Sequence, residues 1–247
     1  MNSIALYGSK GGVAKTTASI NLAAAVAAKK KNVLVLDCGP QASATRHLGV
    51  EPSQNGMASI LFAGASAEEC AVETSVPRLH LVPASNNIAA ADLHFAATQK
   101  SSDRLIKNAL AGSRRRYDFV IADCAPSANI ISAFILRGFD WFIVPTIPSY
   151  LDLNGVANAI AWSNEMPNAA RLLGVLITKF DKRKGRSHGE YLKAARKEFP
   201  TLKTTIPLNV KLETALSLSQ TIFQHAPKSP GAIAYRALAN EVMRKTS

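Results

Sequence analysis

The chain has 247 residues, 47% of them hydrophobic and 19% charged, with 29 Lys and Arg against 17 Asp and Glu. That is enough for one α/β core or two small ones, and the mixture is not that of a disordered, collagen-like or membrane-embedded chain. The net charge of +12 suits a polyanionic partner, and a solvated basic surface accounts for it equally well.

A short β run at 3–7 opens the chain, so no signal peptide is expected. A glycine-rich turn follows, then a helix from about 16 to 29. Its alanine-rich part contains Asn21, ends in Lys29-Lys30-Lys31 and is too short to span a bilayer; no membrane attachment is expected. Val33-Leu34-Val35-Leu36 is unbroken apolar sequence, the pattern of a strand covered on both faces. Strand, turn, helix and strand make one βαβ unit.

The alternation continues. Strands are expected at 79–82, 118–122 (ending at Asp123), 141–144 (closed by Pro145), 172–178 and near 204–206. Helices are expected at about 87–99, 102–111, 130–137, 153–163, 189–199 and 233–244. The pattern predicts an α/β fold, a doubly wound, mostly parallel sheet with helices on both faces, as one domain over 1–247. Ligands then belong at the carboxyl ends of the strands. Cys38, Cys70 and Cys124 form no C-x-x-C pair; an odd count without metal-ligand spacing suggests reduced thiols in the cytosol.

The turn reads Gly8-Ser9-Lys10-Gly11-Gly12-Val13-Ala14-Lys15-Thr16-Thr17. Phosphate needs backbone N–H groups aimed at it with no side chain in the way, and Gly11 and Gly12 permit that approach. A helix starting near Lys15 adds free N–H groups and a positive dipole end. Lys15 supplies charge to the outer phosphates, and the Thr16 hydroxyl is placed to ligate Mg²⁺. A nucleoside triphosphate, with ATP foremost, is the expected ligand. The strict G-x-x-x-x-G-K-[ST] pattern fails, because Ser9 and Ala14 hold its glycine positions. Ala14 matters only where the backbone needs positive φ.

Lys10-Gly11-Gly12-x-x-Lys15-Thr16-Thr17 resembles the deviant phosphate loop of the ParA/MinD family of dimeric ATPases that position plasmids, chromosomes and other cargo. The segments 36–45, 120–127, 144–155, 178–181, 206–211 and 231–235 are similar to further family motifs in the same order. The likeness to ParA proper is greater, since the C-terminal membrane helix of MinD is not evident. By this resemblance Lys15 holds the phosphates of its own subunit. Lys10 is the signature lysine that reaches the partner's nucleotide, where a cation neutralises charge developing in phosphoryl transfer. Asp123 ends a buried strand and would meet Mg²⁺ through water, since a bare buried carboxylate is costly. Asp37 sits likewise beside the loop, and Asn209 and its neighbours would line the base.

One departure bears on chemistry. The family's second motif reads D-x-D-P-Q, and its second Asp orients the attacking water. Here that position is Gly39, so ATP binding is expected with slow or absent hydrolysis, unless Asp37, Gln41 or Asp152 substitutes. Ala125 replaces a proline after Asp123 and implies only a looser turn.

Between 179 and 211 stand ten Lys or Arg and three acids. Lys182-Arg183-Lys184-Gly185-Arg186 reads as a mobile basic loop, and Lys193, Arg196 and Lys197 share a helix face. Few aromatics are interleaved, so phosphate contacts would dominate, giving salt-sensitive, sequence-independent DNA binding. The resemblance to ParA points first to Arg183 and Lys211, then to Lys182 and Arg186. Arg114-Arg115-Arg116 is a second basic run that closes a helix, where cations are expected. The resemblance implies an ATP-bound homodimer on non-specific DNA, a ParB-like or cargo adaptor partner, and a cytoplasmic, nucleoid-associated location. A non-hydrolysing, nucleotide-bound adapter is the alternative. An iron–sulfur reductase would need two cluster cysteines per subunit at the dimer face.

Overall fold

A computed structural model describes residues 1–98 and 104–247. Among them eight strands form one sheet: β1 (Asn2–Leu6), β2 (Val33–Asp37), β3 (Val72–Glu73), β4 (Leu79–Val82), β5 (Phe119–Asp123), β6 (Trp141–Thr146), β7 (Arg171–Phe180) and β8 (Thr201–Pro207). Their spatial order is β3-β4-β2-β5-β1-β6-β7-β8. Neighbours run parallel except β3, which is antiparallel to β4. From β1 the chain builds outward on one side to β4, then returns to place β6, β7 and β8 on the other. The expected doubly wound, mostly parallel sheet is present, and its switch point lies at the carboxyl end of β1.

The helices are α1 (Lys15–Ala27), α2 (Ser43–His47), α3 (Met57–Ala63), α4 (Asn87–Thr98), α5 (Leu105–Ala109), α6 (Ile130–Gly138), α7 (Tyr150–Asn164), α8 (Gly185–Glu198), α9 (Val210–Ser217), α10 (Ile222–His225) and α11 (Pro230–Lys245). They cover both faces. In β2, Val33 and Val35 point into the core shared with α1 and α11, while Leu34 and Leu36 point into the core under α3 to α7. Side chains alternate along a strand, so a strand buried on both faces reads as a continuous apolar run. Helix α1 is buried nearly all round. Its alanines let it lie close to the sheet with α11 against it; a larger side chain at Ala23 would overpack this layer at a cost of about 1–3 kcal/mol.

The expected helix limits at 99 and 102 lie outside the described residues. One expectation is corrected: 182–186 is not a loop. Lys182–Lys184 forms a 3₁₀ turn, and α8 starts at Gly185. Asp181 causes this. Its side chain accepts a hydrogen bond from Arg183 N at 3.0 Å, and its own N–H donates to His188 Nδ1 at 3.0 Å, so the turn is pinned to the helix it starts. Elements α2, α3, α9, α10 and β3 also escape the sequence pattern, being at most eight residues long.

Candidate functional site

The loop from Gly8 to Ala14 leaves β1 at the switch point and enters α1. Gly12 has φ 76°, and Ala14, the residue before the helix, has φ 63° and ψ 37°. The Ala14 position does take the left-handed backbone, so alanine carries strain that glycine would not. Gly11 and Gly12 are exposed, and a Cβ built at either meets nothing within 4 Å, so the loop backbone there is open to a ligand. Lys15 is turned inward beneath the loop, only 7% exposed. Its Nζ donates to Gly8 O at 3.0 Å and to Lys10 O at 2.6 Å. Burial lowers the Lys15 pKa, and the nearby Asp123 opposes that shift. The Thr178 hydroxyl lies 3.0 Å from both Val13 O and Thr146 O, tying the loop to β6 and β7.

Two carboxyl groups stand side by side under the loop, because Asp37 of β2 and Asp123 of β5 are paired in register. Asp37 is wholly buried. It accepts from Thr45 N and Thr45 Oγ1, each at 2.8 Å, and from Gly39 N at 3.1 Å. Burial still holds its pKa above the usual carboxylate range. Asp123 accepts from Ser19 Oγ at 3.0 Å. Burial, and then the Asp37 charge, push it up to about 7, against hydrogen bonds from Thr16 and Ser19 and the Lys15 charge. Such a carboxyl pair is stabilised by added positive charge. The sequence reading missed Ser19 and Thr45. Thr45, eight residues after Asp37, lies in the first turn of α2 and donates both its N–H and its hydroxyl back to Asp37, and no short spacing rule reports that.

Lys10 lies at the mouth of the loop with its side chain 48% exposed, ion-paired with an Asp152 carboxylate that is 1% exposed. The other Asp152 oxygen, Oδ2, is buried without a hydrogen-bond partner. The fold makes this pair across 142 residues of sequence, so no spacing signals it. Gly39 shows no positive φ, and a Cβ there would meet only Asp37 Oδ1, at 3.5 Å.

A shallow cleft beside the loop is lined by residues that include Ala14, Thr17, Lys179, Pro207, Asn209 and Glu213. Asn209 caps α9, its Oδ1 accepting from Lys211 N at 3.0 Å. The structure thus brings together residues 10–17, Asp37 and Asp123, with Asn209 across the cleft. Lys182, Arg183 and Arg186 lie beyond β7 and are exposed, as is Lys211 at the start of α9. Arg183 holds Asp181 through Nε–Oδ1 at 3.0 Å and Nη2–Oδ2 at 2.9 Å, which draws the Asp181 pKa down to about 2. Arg186 pairs with Glu190 at 3.1 Å. The three cysteines are free and buried, and burial raises their thiol pKa values. No helix among the described residues is long and apolar enough to cross a membrane.

A family model described as an AAA domain matches residues 1–171. The chromosome-partitioning ATPase Soj of Thermus thermophilus is 37% identical over 98% of this chain and 95% of its own length. The sporulation initiation inhibitor protein Soj of Bacillus subtilis is 34% identical over 97% of each. Among solved structures, cobyrinic acid a,c-diamide synthase from Mycobacterium smegmatis with bound ATP analog and magnesium superposes with a TM-score of 0.83 at 28% identity, over 99% of this chain and 95% of that one. With the loop geometry, the paired aspartates and full-length matches in agreement, the chain belongs to the ParA/MinD family of P-loop ATPases and is similar to its Soj-like partition proteins.

Proposed function

We propose that this chain is an ATP- and Mg²⁺-binding switch that dimerises on ATP, binds DNA without sequence preference and positions a plasmid, chromosome or other cargo through a ParB-like or adaptor protein. The observation that carries this reading is the division of labour between two lysines of one loop. Lys15 is buried against the loop carbonyls, while Lys10 stands half-exposed at the mouth. A lysine at the rim can serve a nucleotide outside its own subunit once it leaves Asp152.

The residues present fit both ligands. The bare backbone at Gly11 and Gly12, the Lys15 amine and the start of α1 suit a triphosphate. The crowded Asp37–Asp123 pair suits a divalent cation, held by the Thr16 hydroxyl and, through water, by Asp123. Mg²⁺ supplies charge neutralisation at the phosphates when bound. The chain's own part is to hold the phosphates on backbone amides and to keep Asp123 buried beside Ser19. Gly39 supplies no side chain to orient a water, and Asp37 is already held by Thr45 and Gly39; hydrolysis is accordingly slow. DNA contact falls to Lys182, Arg183, Arg186 and Lys211, and the protein works in the cytoplasm on the nucleoid.

Calorimetry with Mg–ATP, light scattering and anisotropy of a labelled duplex test this together. The expected result is ATP uptake, dimer formation and DNA binding that weakens when Lys182, Arg183 and Arg186 are changed to Ala. Absence of triphosphate uptake refutes the reading. Gly39 also favours a second reading, a nucleotide-bound adapter that does not turn over. Turnover measured with DNA and the partner protein present separates the two.

A further inference from the structure

On the sheet edge opposite the phosphate loop, the amino ends of β4, β2 and β5 lie side by side, with Leu79, Val33 and Phe119 in register. Cations precede each strand: Arg78 before β4, the Lys29–Lys31 turn before β2, and Arg114–Arg116 before β5. Helix ends account for cations in two of these turns, after α1 and in the 3₁₀ turn Gly112–Arg115, but not for Arg78, nor for the meeting of all three at one edge.

Asn32 binds the three turns into one plate. Its N–H donates to Asp118 Oδ2 at 2.9 Å, its Oδ1 accepts from Arg78 Nη1 at 3.2 Å, and its Nδ2 donates to Arg116 O at 3.2 Å. Val33 N donates to Arg78 O at 2.9 Å. The C-terminal end of α11 completes the surface. Met243 and Ser247 line the same open cleft, ≈430 Å³ in volume, as Lys31 and the three arginines. Asp118 takes Lys31 at 3.2 Å. Arg114 and Arg115 are exposed and have no acidic partner among the described residues. By contrast Arg183 and Arg186 are each tied to an acid nearby.

Among the described residues the exposed large apolar side chains lie in other segments, and the cleft offers only the half-buried Met1 and Met243. A protein partner would want an apolar or aromatic anchor here, and a bilayer an apolar face. Guanidinium groups that no acid neutralises, beside a held Arg78 and the amides of Asn32, suit the phosphates of a nucleic acid. We propose that this edge is a second DNA-binding surface that acts without nucleotide. None of its residues belongs to the ATP site. It faces away from the carboxyl edge, where β7 leads into Lys182–Lys184, and strands of five residues alone separate the two edges by about 17 Å. One protomer can therefore hold two duplex segments at once.

The test compares the wild-type chain with Arg114→Gln/Arg115→Gln, with Lys29→Gln/Lys30→Gln as a second pair, each checked for an unchanged melting temperature. Binding of a labelled duplex is read with and without Mg–ATP across a salt series. Bridging is read as capture of a second duplex by protein bound to an immobilised one. Wild type should bind DNA without nucleotide, and each pair of changes should lower that affinity about tenfold and flatten the log K against log salt slope by about 2. Bridging should be lost. Lys182→Ala/Arg183→Ala/Arg186→Ala should leave nucleotide-free binding in place, so failure here and failure of the proposed switch give different patterns. Nucleotide-free affinity and bridging that survive both Gln pairs overturn the inference, as does a wild type that holds DNA only with ATP or that prefers anionic vesicles to duplex.

Discussion

Lys10 at the mouth of the phosphate loop is ion-paired with Asp152 of α7, and the carboxylate it neutralises is 1% exposed. The pair couples loop stability to the one lysine that the proposed dimer must redeploy.

Changing Lys10 to Ala should therefore destabilise the free chain, not only its assembly. Removing one partner of a fully buried pair costs about 3–5 kcal/mol. The Lys10 side chain is 48% exposed, so solvent screening brings the expected loss to about 1–2 kcal/mol. Asp152→Asn should restore most of it, making Lys10→Ala/Asp152→Asn more stable in urea than Lys10→Ala alone. Strictly additive effects would show that the pair contributes nothing. Asp152→Asn alone should also let ATP-driven dimers form at lower protein concentration, because Lys10 then leaves no charged partner behind.

Gly39 is where a side chain can be added without rebuilding the backbone, since a Cβ there contacts only Asp37 Oδ1, at 3.5 Å. Gly39→Asp should raise ATP turnover about 10²-fold, at the low end of what a positioned general base supplies. Single-turnover phosphate release is the measurement. Equal rates in wild type and variant would mean that another group already orients the water.

Ala14 sits at φ 63°, a conformation that costs a residue with Cβ about 1–2 kcal/mol. Ala14→Gly gives back part of this as unfolded-chain entropy, leaving a net gain of about 0.5–1 kcal/mol in chemical denaturation. Affinity for Mg–ATP should stay within about twofold of wild type, because the amides keep their directions. Lower stability in the variant would show that the strain is relieved elsewhere in the loop.

The sheet was legible because its strands are buried on both faces, and burial of that kind writes itself as runs such as Val33 to Leu36. The phosphate loop was legible because its function demands contiguous residues. What stayed hidden was made by tertiary contact. Thr45 reaches back to Asp37, Ser19 reaches from α1 to Asp123, and Lys10 meets Asp152, each between residues that sequence periodicity treats as unrelated. Helix α2 shows the same limit. It starts after Ala42 in a left-handed conformation with no side-chain cap of its own, and Asp37 at the end of β2 accepts from its early N–H groups instead. The basic segment at 182–186 looked like a loop because its capping residue, Asp181, was counted only as an acid among lysines.

Asp181 restrains the arginine first chosen for DNA contact. Arg183 grips both oxygens of the Asp181 carboxylate, and its guanidinium draws the Asp181 pKa down to about 2 from 3.8. A carboxyl whose folded pKa is depressed contributes stability above its unfolded value, and that contribution fades as pH falls from about 4 toward 2. In an NMR titration the Asp181 carboxyl should have its midpoint near 2, and Arg183→Ala should return it toward the ordinary range. The same grip keeps Arg183 from offering its full charge to phosphate. Asp181→Asn keeps an oxygen to accept from Arg183 N but removes the opposing charge, so duplex affinity with Mg–ATP should rise about threefold to tenfold and its salt dependence should steepen by about one ion. Unchanged affinity with a normal melting temperature would take Arg183 out of the DNA surface and leave Lys182, Arg186 and Lys211 to account for it.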